Sequence, residues 1–484
     1  MACSSPIRKN NNEKGDGDSS CCSSWRVLCA LILAEVPIFL NENIFPLAVP
    51  SIRHSMHLSL REGHWIINAY ILTLAVLVLL CGQIGDRLGR KRVLYCGLWI
   101  FGIASLFGGY AFTKEKLLIA RSLQGVGGAI IAPNIVAIIL RVFPSHLQGR
   151  ALGIYSGANV LSLSLGPLVG GQITQYLGWP WIFWMNVPVV GASFLIFFFS
   201  ARGIKDTASA HPIAWGRFAL FGLSILFFTC ALMQVGVWGI LSKGIGVLLA
   251  CGAILMISMV VWERNAAFPL LGSKAFSSPT LRLGVLVMLV CSFVFAMPVF
   301  WNAFFQDVLH CSPSMAGYIM FCSCFPSVIM APLAGWFVDR LGVGKILLAG
   351  LICKATIFSL LVVKGELFQF IHWSVFFQAF LGVGISLVYS PVQLMVMRGL
   401  PSKNHGVASG ILNTTVPMGI VVGVSLIGSL MSWMYGGDAS PGVCDYLKSF
   451  RVVYVFLLIG ILCTILYSVL VMRRYKDHPS FMKF

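Results

Sequence analysis

The sequence predicts an all-α polytopic membrane protein with fourteen transmembrane helices, arranged as two six-helix bundles with two extra helices between them. Three observations predict it. Of the 484 residues, 58% are hydrophobic and only 10% are charged, whereas a soluble domain carries about 25% charged residues. Apolar runs long enough to cross hydrocarbon recur along the whole chain. A charged turn, Gly82-Gln-Ile-Gly-Asp-Arg-Leu-Gly-Arg-Lys-Arg92, returns in weaker form as Gly335-Trp-Phe-Val-Asp-Arg-Leu-Gly-Val-Gly-Lys345, so the chain has two related halves.

Residues 1–25 are polar, rich in Ser, Asn and Lys, and have no apolar centre; they are expected to be a disordered cytoplasmic tail rather than a cleaved signal peptide. The spans follow at about 26–50, 64–84, 92–112, 116–141, 150–174 and 181–201, an N-terminal bundle over 26–201. A linker over 202–281 carries two more, at 215–236 and 243–262. The C-terminal bundle, 282–472, holds 283–306, 314–338, 345–364, 369–397, 406–432 and 450–472, and 473–484 is a second cytoplasmic tail. An even count places both termini on one side. That side carries 24 of the 34 Lys and Arg against 8 opposite, so the positive-inside rule makes it cytoplasmic. The same rule explains the net charge of +18 without nucleic acid.

The fifteen Cys form no metal or disulfide framework, since most lie within spans, where Cys behaves as a small apolar residue. Cys311 and Cys444 both fall in outward loops, where a bridge and two free thiols are both open. The sequon at Asn413 lies inside a span and is not expected to be glycosylated. No Gly-rich Walker loop and no catalytic triad spacing is present, so neither an ATP-driven pump nor an enzyme is expected.

The repeat reaches beyond the charged turn. Gly149-Arg-Ala-Leu-Gly153 opens the fifth span and Gly406-Val-Ala-Ser-Gly410 the thirteenth, an offset of 257 against 253 for the turns. The first six spans thereby map onto the last six, and the seventh and eighth are left over. Two bundles around a midplane cavity fit alternating access.

These residues resemble the major facilitator superfamily, and within it the fourteen-spanner drug:proton antiporters. The charged turn is similar to the family signature after the second span. Leu117-Leu-Ile-Ala-Arg121-Ser-Leu-Gln-Gly125-Val-Gly-Gly128 resembles the fourth-span signature, and Gly166-Pro-Leu-Val-Gly-Gly171 the fifth-span antiporter signature. Trp181-Ile-Phe-Trp-Met-Asn-Val-Pro188 resembles the start of the sixth span, and Phe305-Gln-Asp-Val-Leu-His-Cys-Ser-Pro313-Ser-Met-Ala-Gly317 the exit from the ninth. The resemblance implies the major facilitator fold and a conformational latch at Gly82, Asp86, Arg87, Gly89 and Arg90, with Asp339 and Arg340 as its weaker copy. A purely topogenic charge cluster is the competing reading. The resemblance also implies tight helix packing at Gly153, Gly166, Pro167, Gly170 and Gly171, against ordinary packing of small residues.

Glu35 and Glu42 are the only acids well inside spans. Seven residues apart, they share one helix face. Intramembrane carboxyls are costly and mark proton paths or structural pairs. Both are candidates for proton coupling, with Pro37 between them removing a backbone donor. Related antiporters often carry an Asp in Leu-Asp-x-Thr-x-x-x-x-Ala-x-Pro; aligned on Ala48 and Pro50, that position is Asn41. Asn carries no proton charge, so the role passes to Glu42 or Glu35. Arg121 is expected to respond to these acids from the cavity, against snorkelling to the interface. Lys354, mid-span in the eleventh helix, is assigned no function.

If the repeat holds, the ninth and twelfth spans line the cavity with Trp301, Asn302, Phe305, Gln306, Gln378, Tyr389 and Gln393. Such a wall suits an amphipathic organic molecule, although aromatics are also ordinary interface anchors. The leading expectation is proton-coupled efflux of drugs, toxins or secondary metabolites. Uptake or exchange of a small polar solute, an inorganic ion or an iron chelate is the alternative, and a non-transporting receptor on the same scaffold is a third class. The expected partners are a small-molecule substrate, protons and the lipid bilayer. No nucleic acid and no cofactor is expected, the chain is expected to be a monomer, and the plasma membrane is favoured over a vacuolar one.

Overall fold

The computed structural model describes residues 13–202, 214–239, 242–264, 278–398, 405–434 and 442–474. The first half contains α1 (Glu13–Met56), α2 (Leu60–Leu88), α3 (Arg90–Gly109), α4 (Lys114–Val142), α5 (Ser145–Tyr176), and a sixth span divided into α6 (Pro180–Trp184) and α7 (Asn186–Ser200). Then come α8 (Trp215–Trp238) and α9 (Lys243–Arg264). The second half contains α10 (Pro279–Ala303), α11 (Pro313–Leu341), α12 (Val343–Lys364), α13 (Ile371–Arg398), α14 (His405–Met434) and α15 (Val443–Arg474). Among the described residues thirteen spans are long and apolar enough to cross a membrane. The two arms of α2, Arg61–Val78 and Leu80–Leu88, bend by 50° and make a fourteenth when taken as one span.

The repeat seen in the sequence is a repeat of packing. In the first half α1 packs on α5, α2 on α4, α3 on α4, and α1 on α7. In the second half the corresponding pairs meet: α10 with α14, α11 with α13, α12 with α13, and α10 with α15. Two matched seams, α5 with α11 and α2 with α14, join the halves. The extra pair α8–α9 leans on both α14 and α2 and so lies across one seam. The face where α1 begins and α15 ends is called here the termini face, and the opposite one the far face.

Local chemistry sets the helix ends. Ser59 and Glu62 close a capping box at the start of α2, satisfying two otherwise orphaned backbone donors. Thr113 and Ser312 cap α4 and α11 by their side-chain oxygens, and Pro313 occupies the first turn of α11, where its missing N–H costs nothing. The charged turn hinges on Gly89 at φ 97°, and its copy on Gly342 at φ 88°. Both are in the region where a Cβ is disfavoured, so the same glycine ends the same helix in both halves.

Two expectations change. Helix α1 starts at Glu13, so 13–25 is helical rather than a disordered tail; residues 1–12 and 475–484 lie outside the described residues. The extension is anchored where Trp25 meets the edge of Phe143 at 5.1 Å and Arg150 lies 5.5 Å from the Trp25 ring. The sixth span is broken at Met185. Cys311 and Cys444 are free thiols, and Asn413 has no described side chain.

Candidate functional site at the junction of the halves

Helix α1 has prolines at 37, 46 and 50. A proline lacks the N–H that would bond to the carbonyl four residues earlier, so each one releases an acceptor within the membrane. Pro50 releases the Pro46 carbonyl, and Asn302 of α10 donates its Nδ2 to it at 2.5 Å. Pro167 of α5 releases the Leu163 carbonyl, and Asn43 of α1 donates to it at 2.8 Å. The prolines of this junction thus turn hydrocarbon-buried backbone into docking points for amides.

On the same helix Glu35 is 3% exposed, and the Tyr155 hydroxyl of α5 donates to its Oε2. Glu42, two turns further on, is half-buried and lies within electrostatic reach of Glu35 and of Tyr389 on α13. Neither carboxyl forms an ion pair with a described residue. Asn41 turns back on its own helix, donating to the Pro37 carbonyl at 2.7 Å. The second half therefore meets Glu42, not Asn41.

Arg121 is not at the cavity. Its guanidinium lies 3.8 Å from the Phe45 ring and 4.3 Å from that of Tyr70, with 1% of the residue exposed. It donates to the Ile66 carbonyl at 3.4 Å and to Gln124 at 3.0 Å, and Gln124 passes the chain on to Ser105 at 2.9 Å. Cation–π contact and these acceptors replace the expected carboxylate. It does not snorkel either, because α1, α2 and α4 enclose it. Lys354, also 1% exposed, is packed against Gly384 rather than reaching for an interface.

The far face is shut. Arg53 at the end of α1 pairs with Asp307 at 2.6 Å, and His54 reaches the other oxygen of Asp307 at 3.2 Å. Gln306 donates to the Leu47 carbonyl at 2.9 Å and to Asn302 at 2.9 Å. These acceptors and donors come from a five-residue π-helical turn, Phe304–Val308, that continues α10. On the α5–α11 seam a Cβ on Gly171 would lie 2.6 Å from the Pro313 carbonyl, and one on Gly317 2.4 Å from the Pro167 carbonyl. No side chain fits there, so the two backbones touch. Gly166 and Gly170 make similar approaches to Asn43 and Ile44 of α1. Beneath this closure a small pocket opens between the halves, lined in part by Asn43, Pro46, Pro167, Asn302 and Cys324.

A family model described as Major Facilitator Superfamily matches residues 31–305 and 295–482. The chain belongs to the major facilitator superfamily. It is a transporter of that superfamily and not an enzyme, a multi-pass membrane protein with the fold that the repeat predicts. This facilitator is 28% identical over 430 residues to the tetracenomycin C resistance and export protein of Streptomyces glaucescens, covering 86% of this chain and 77% of that one. It is 26% identical over 414 residues to the methyl viologen resistance protein SmvA of Salmonella typhimurium, covering 84% and 82%. Among solved structures, the POT family transporter PepTSo superposes with a TM-score of 0.71 at 13% identity, covering 94% of this chain and 98% of that one, a likeness of fold.

The facilitator's expected site residues divide. Glu42, Asn302, Gln306 and Tyr389 come to the junction, Gln393 has its side chain beside that of Tyr389, and Glu35 stays within the first half against Tyr155. Trp301 and Phe305 do not line a cavity. Trp301 donates to the Tyr454 hydroxyl at 2.9 Å and Phe305 stacks on Phe368 at 5.4 Å, both inside the second half. Trp301 stands about 100° round α10 from Asn302, and Phe305 belongs to the π-helical turn that follows α10. Gln378 is buried with both side-chain polar atoms unpartnered. Gly153 has open space where a Cβ would stand, so it is not a close-packing glycine here.

Gly82, Gly85, Asp86 and Arg90 of the charged turn meet residues of their own half. Asp86 at the end of α2 pairs with Arg90 at the start of α3, and Arg90 also donates to the Pro133 carbonyl of α4 at 3.3 Å. A Cβ on Gly85 would lie 1.9 Å from Asn134 of α4, and Gly82 faces Pro133. Arg87 is exposed. In the second copy Arg340 lies over Trp336 at 3.9 Å. Sequence reasoning missed Arg53, Asp307 and Tyr155. Asp307 lay within a quoted motif, but only tertiary proximity reveals its partner. A tyrosine in a membrane span carries no signal that separates a carboxyl partner from an interface anchor.

Proposed function

We propose that this facilitator exports small organic compounds in exchange for protons by alternating access, with both termini in the cytoplasm and the plasma membrane as its site. The observation that carries the reading is the pair of carboxyls on α1, Glu35 buried against α5 and Glu42 half-buried within electrostatic reach of α13, with no basic partner among the described residues. An intramembrane carboxyl without a counter-charge is a place where a proton binds and leaves. The names of the relatives, resistance and export proteins among them, support efflux of organic compounds. The shut far face corresponds to the state that admits substrate from the termini side. The Asp86 turn, bonded within its own half in this state, would engage the second half when the termini face closes.

The test is transport of methyl viologen and a panel of lipophilic cations and neutral drugs in sealed vesicles with an imposed pH gradient. Wild type moves at least one probe against its gradient at the expense of the proton gradient, and Glu35→Gln or Glu42→Gln uncouples the two. Transport that ignores both the gradient and the substitutions would overturn proton exchange.

A further inference from the structure

We infer that Tyr155 is a positioning residue that reads the protonation of Glu35 and passes it along α5 to the seam between the halves. The inference rests on the proposed proton role of Glu35. Three observations converge on it. The Tyr155 hydroxyl, itself buried, donates to Glu35 Oε2. Asn159, one turn further along the same face of α5, turns its side-chain N–H toward that hydroxyl's oxygen. The Asn159 side-chain Oδ1 is buried with no partner among the described residues.

A phenol hydroxyl has one proton to donate. While Glu35 is ionised, that proton is held by the carboxylate, the stronger acceptor, and Asn159 is left with an orphaned acceptor, which costs free energy in an apolar site. When a proton reaches Glu35, the new carboxylic O–H donates to the Tyr155 oxygen. The Asn159 amide then turns over, and the Tyr155 hydroxyl donates to its oxygen. No proton leaves the pair, which keeps the one that arrived; one hydrogen bond is exchanged for two in line. The exchange reverses the bond between α1 and α5 and adds one within α5.

Helix α5 can transmit this because the same stripe continues to the seam. Leu163 takes the bond from Asn43 of α1, Gly166 and Gly170 press on α1, and Ser164 donates to the Cys324 carbonyl of α11 at 3.2 Å. The other groups around Glu35 are Glu42 on its own helix, Tyr70 of α2 within electrostatic reach, and Arg121 of α4 on the far side of Tyr70. Helix α7 presents Ser193, bonded to the Ala30 carbonyl. Helix α10 presents Asn302 and α11 presents Cys324, both further along α1.

The test uses the full chain reconstituted in lipid, with infrared difference spectra followed through a pH titration and hydrogen exchange of α5 peptides measured across the same range. Glu35→Gln removes a titrating carboxyl band, Tyr155→Phe shifts the midpoint of that band by about one pH unit or more, and the exchange of α5 changes across the midpoint in wild type but not in Tyr155→Phe or Asn159→Leu. If Glu35→Gln removes the band while Tyr155→Phe leaves both the midpoint and the α5 response unchanged, the inference fails and the proton role of Glu35 stands. If Glu35→Gln removes no titrating band, the proton role fails and takes the inference with it.

Discussion

The two halves share a packing plan and differ in what they enclose. At the 253-residue offset of the charged turns, Glu35 corresponds to Met288, Glu42 to Phe295 and Arg121 to Ser374. Where the first half holds two carboxyls and a guanidinium, the second half holds a buried aromatic cluster around Phe304, Phe305, Phe368 and Phe450. Helix packing in a membrane asks mainly for small residues and complementary shape, so a duplicated plan survives such replacement. The difference teaches that the repeat specifies the scaffold, while the chemistry lies where the repeat is broken.

Experiments can break that division, from the largest effect to the smallest. Glu35→Gln is expected to lower gradient-driven transport by about 100-fold or more, whereas Met288→Leu at the equivalent place is expected to leave it near wild type. Equal losses in vesicle assays would dissolve the contrast. Gly317→Val would drive a side chain into the Pro167 carbonyl, 2.4 Å from its Cβ, and is expected to cost about 1–3 kcal/mol in melts of the detergent-solubilised chain. Gly153→Ala, facing open space, should stay within about 0.5 kcal/mol.

Asp307→Asn is expected to loosen the far face. Arg53 and Asp307 are mostly buried, with side chains 13% and 16% exposed, and breaking such a pair leaves Arg53 uncompensated. After discounting for residual solvent, the closed state loses about 1–2 kcal/mol, and modification of Cys324 by a membrane-impermeant thiol reagent should rise roughly tenfold. Unchanged modification would mean that the amide bonds of Asn302 and Gln306 suffice for closure. Asp86→Asn should slow turnover while leaving the substrate concentration for half-maximal rate within about twofold; a change confined to specificity would argue against a latch. A small effect is expected at Arg340→Ala, which loses one cation–π contact worth about 0.5–1 kcal/mol.

Much of the scaffold was legible because its signals are local. Apolar length gives a span, a positive-φ glycine after Leu88 and again after Leu341 gives a hinge, and a repeated charged turn gives two halves. The candidate site was legible only in part. Glu35 and Glu42 are conspicuous because a carboxyl in an apolar run is rare. Arg121 was equally conspicuous, yet its rings and amide partners come from α1, α2 and α4, and no spacing along one helix encodes that enclosure. Trp301 and Asn302 are neighbours in sequence, and a rotation of about 100° per residue sends one into the second half and the other across to Pro46.

The sequence by itself determined the membrane class, the spans, the duplicated plan and the places where a charge enters hydrocarbon. Each follows from the cost of moving a residue between water and lipid, which depends on residue type and near neighbours. Only the tertiary structure decided which charges meet. Asp307 with Arg53, Tyr155 with Glu35, and Asn302 with the carbonyl that Pro50 releases are each separated by more than 100 residues. Such partners are chosen by the seams on which the helices dock, because a buried polar group must be satisfied by whatever the neighbouring helix brings within reach.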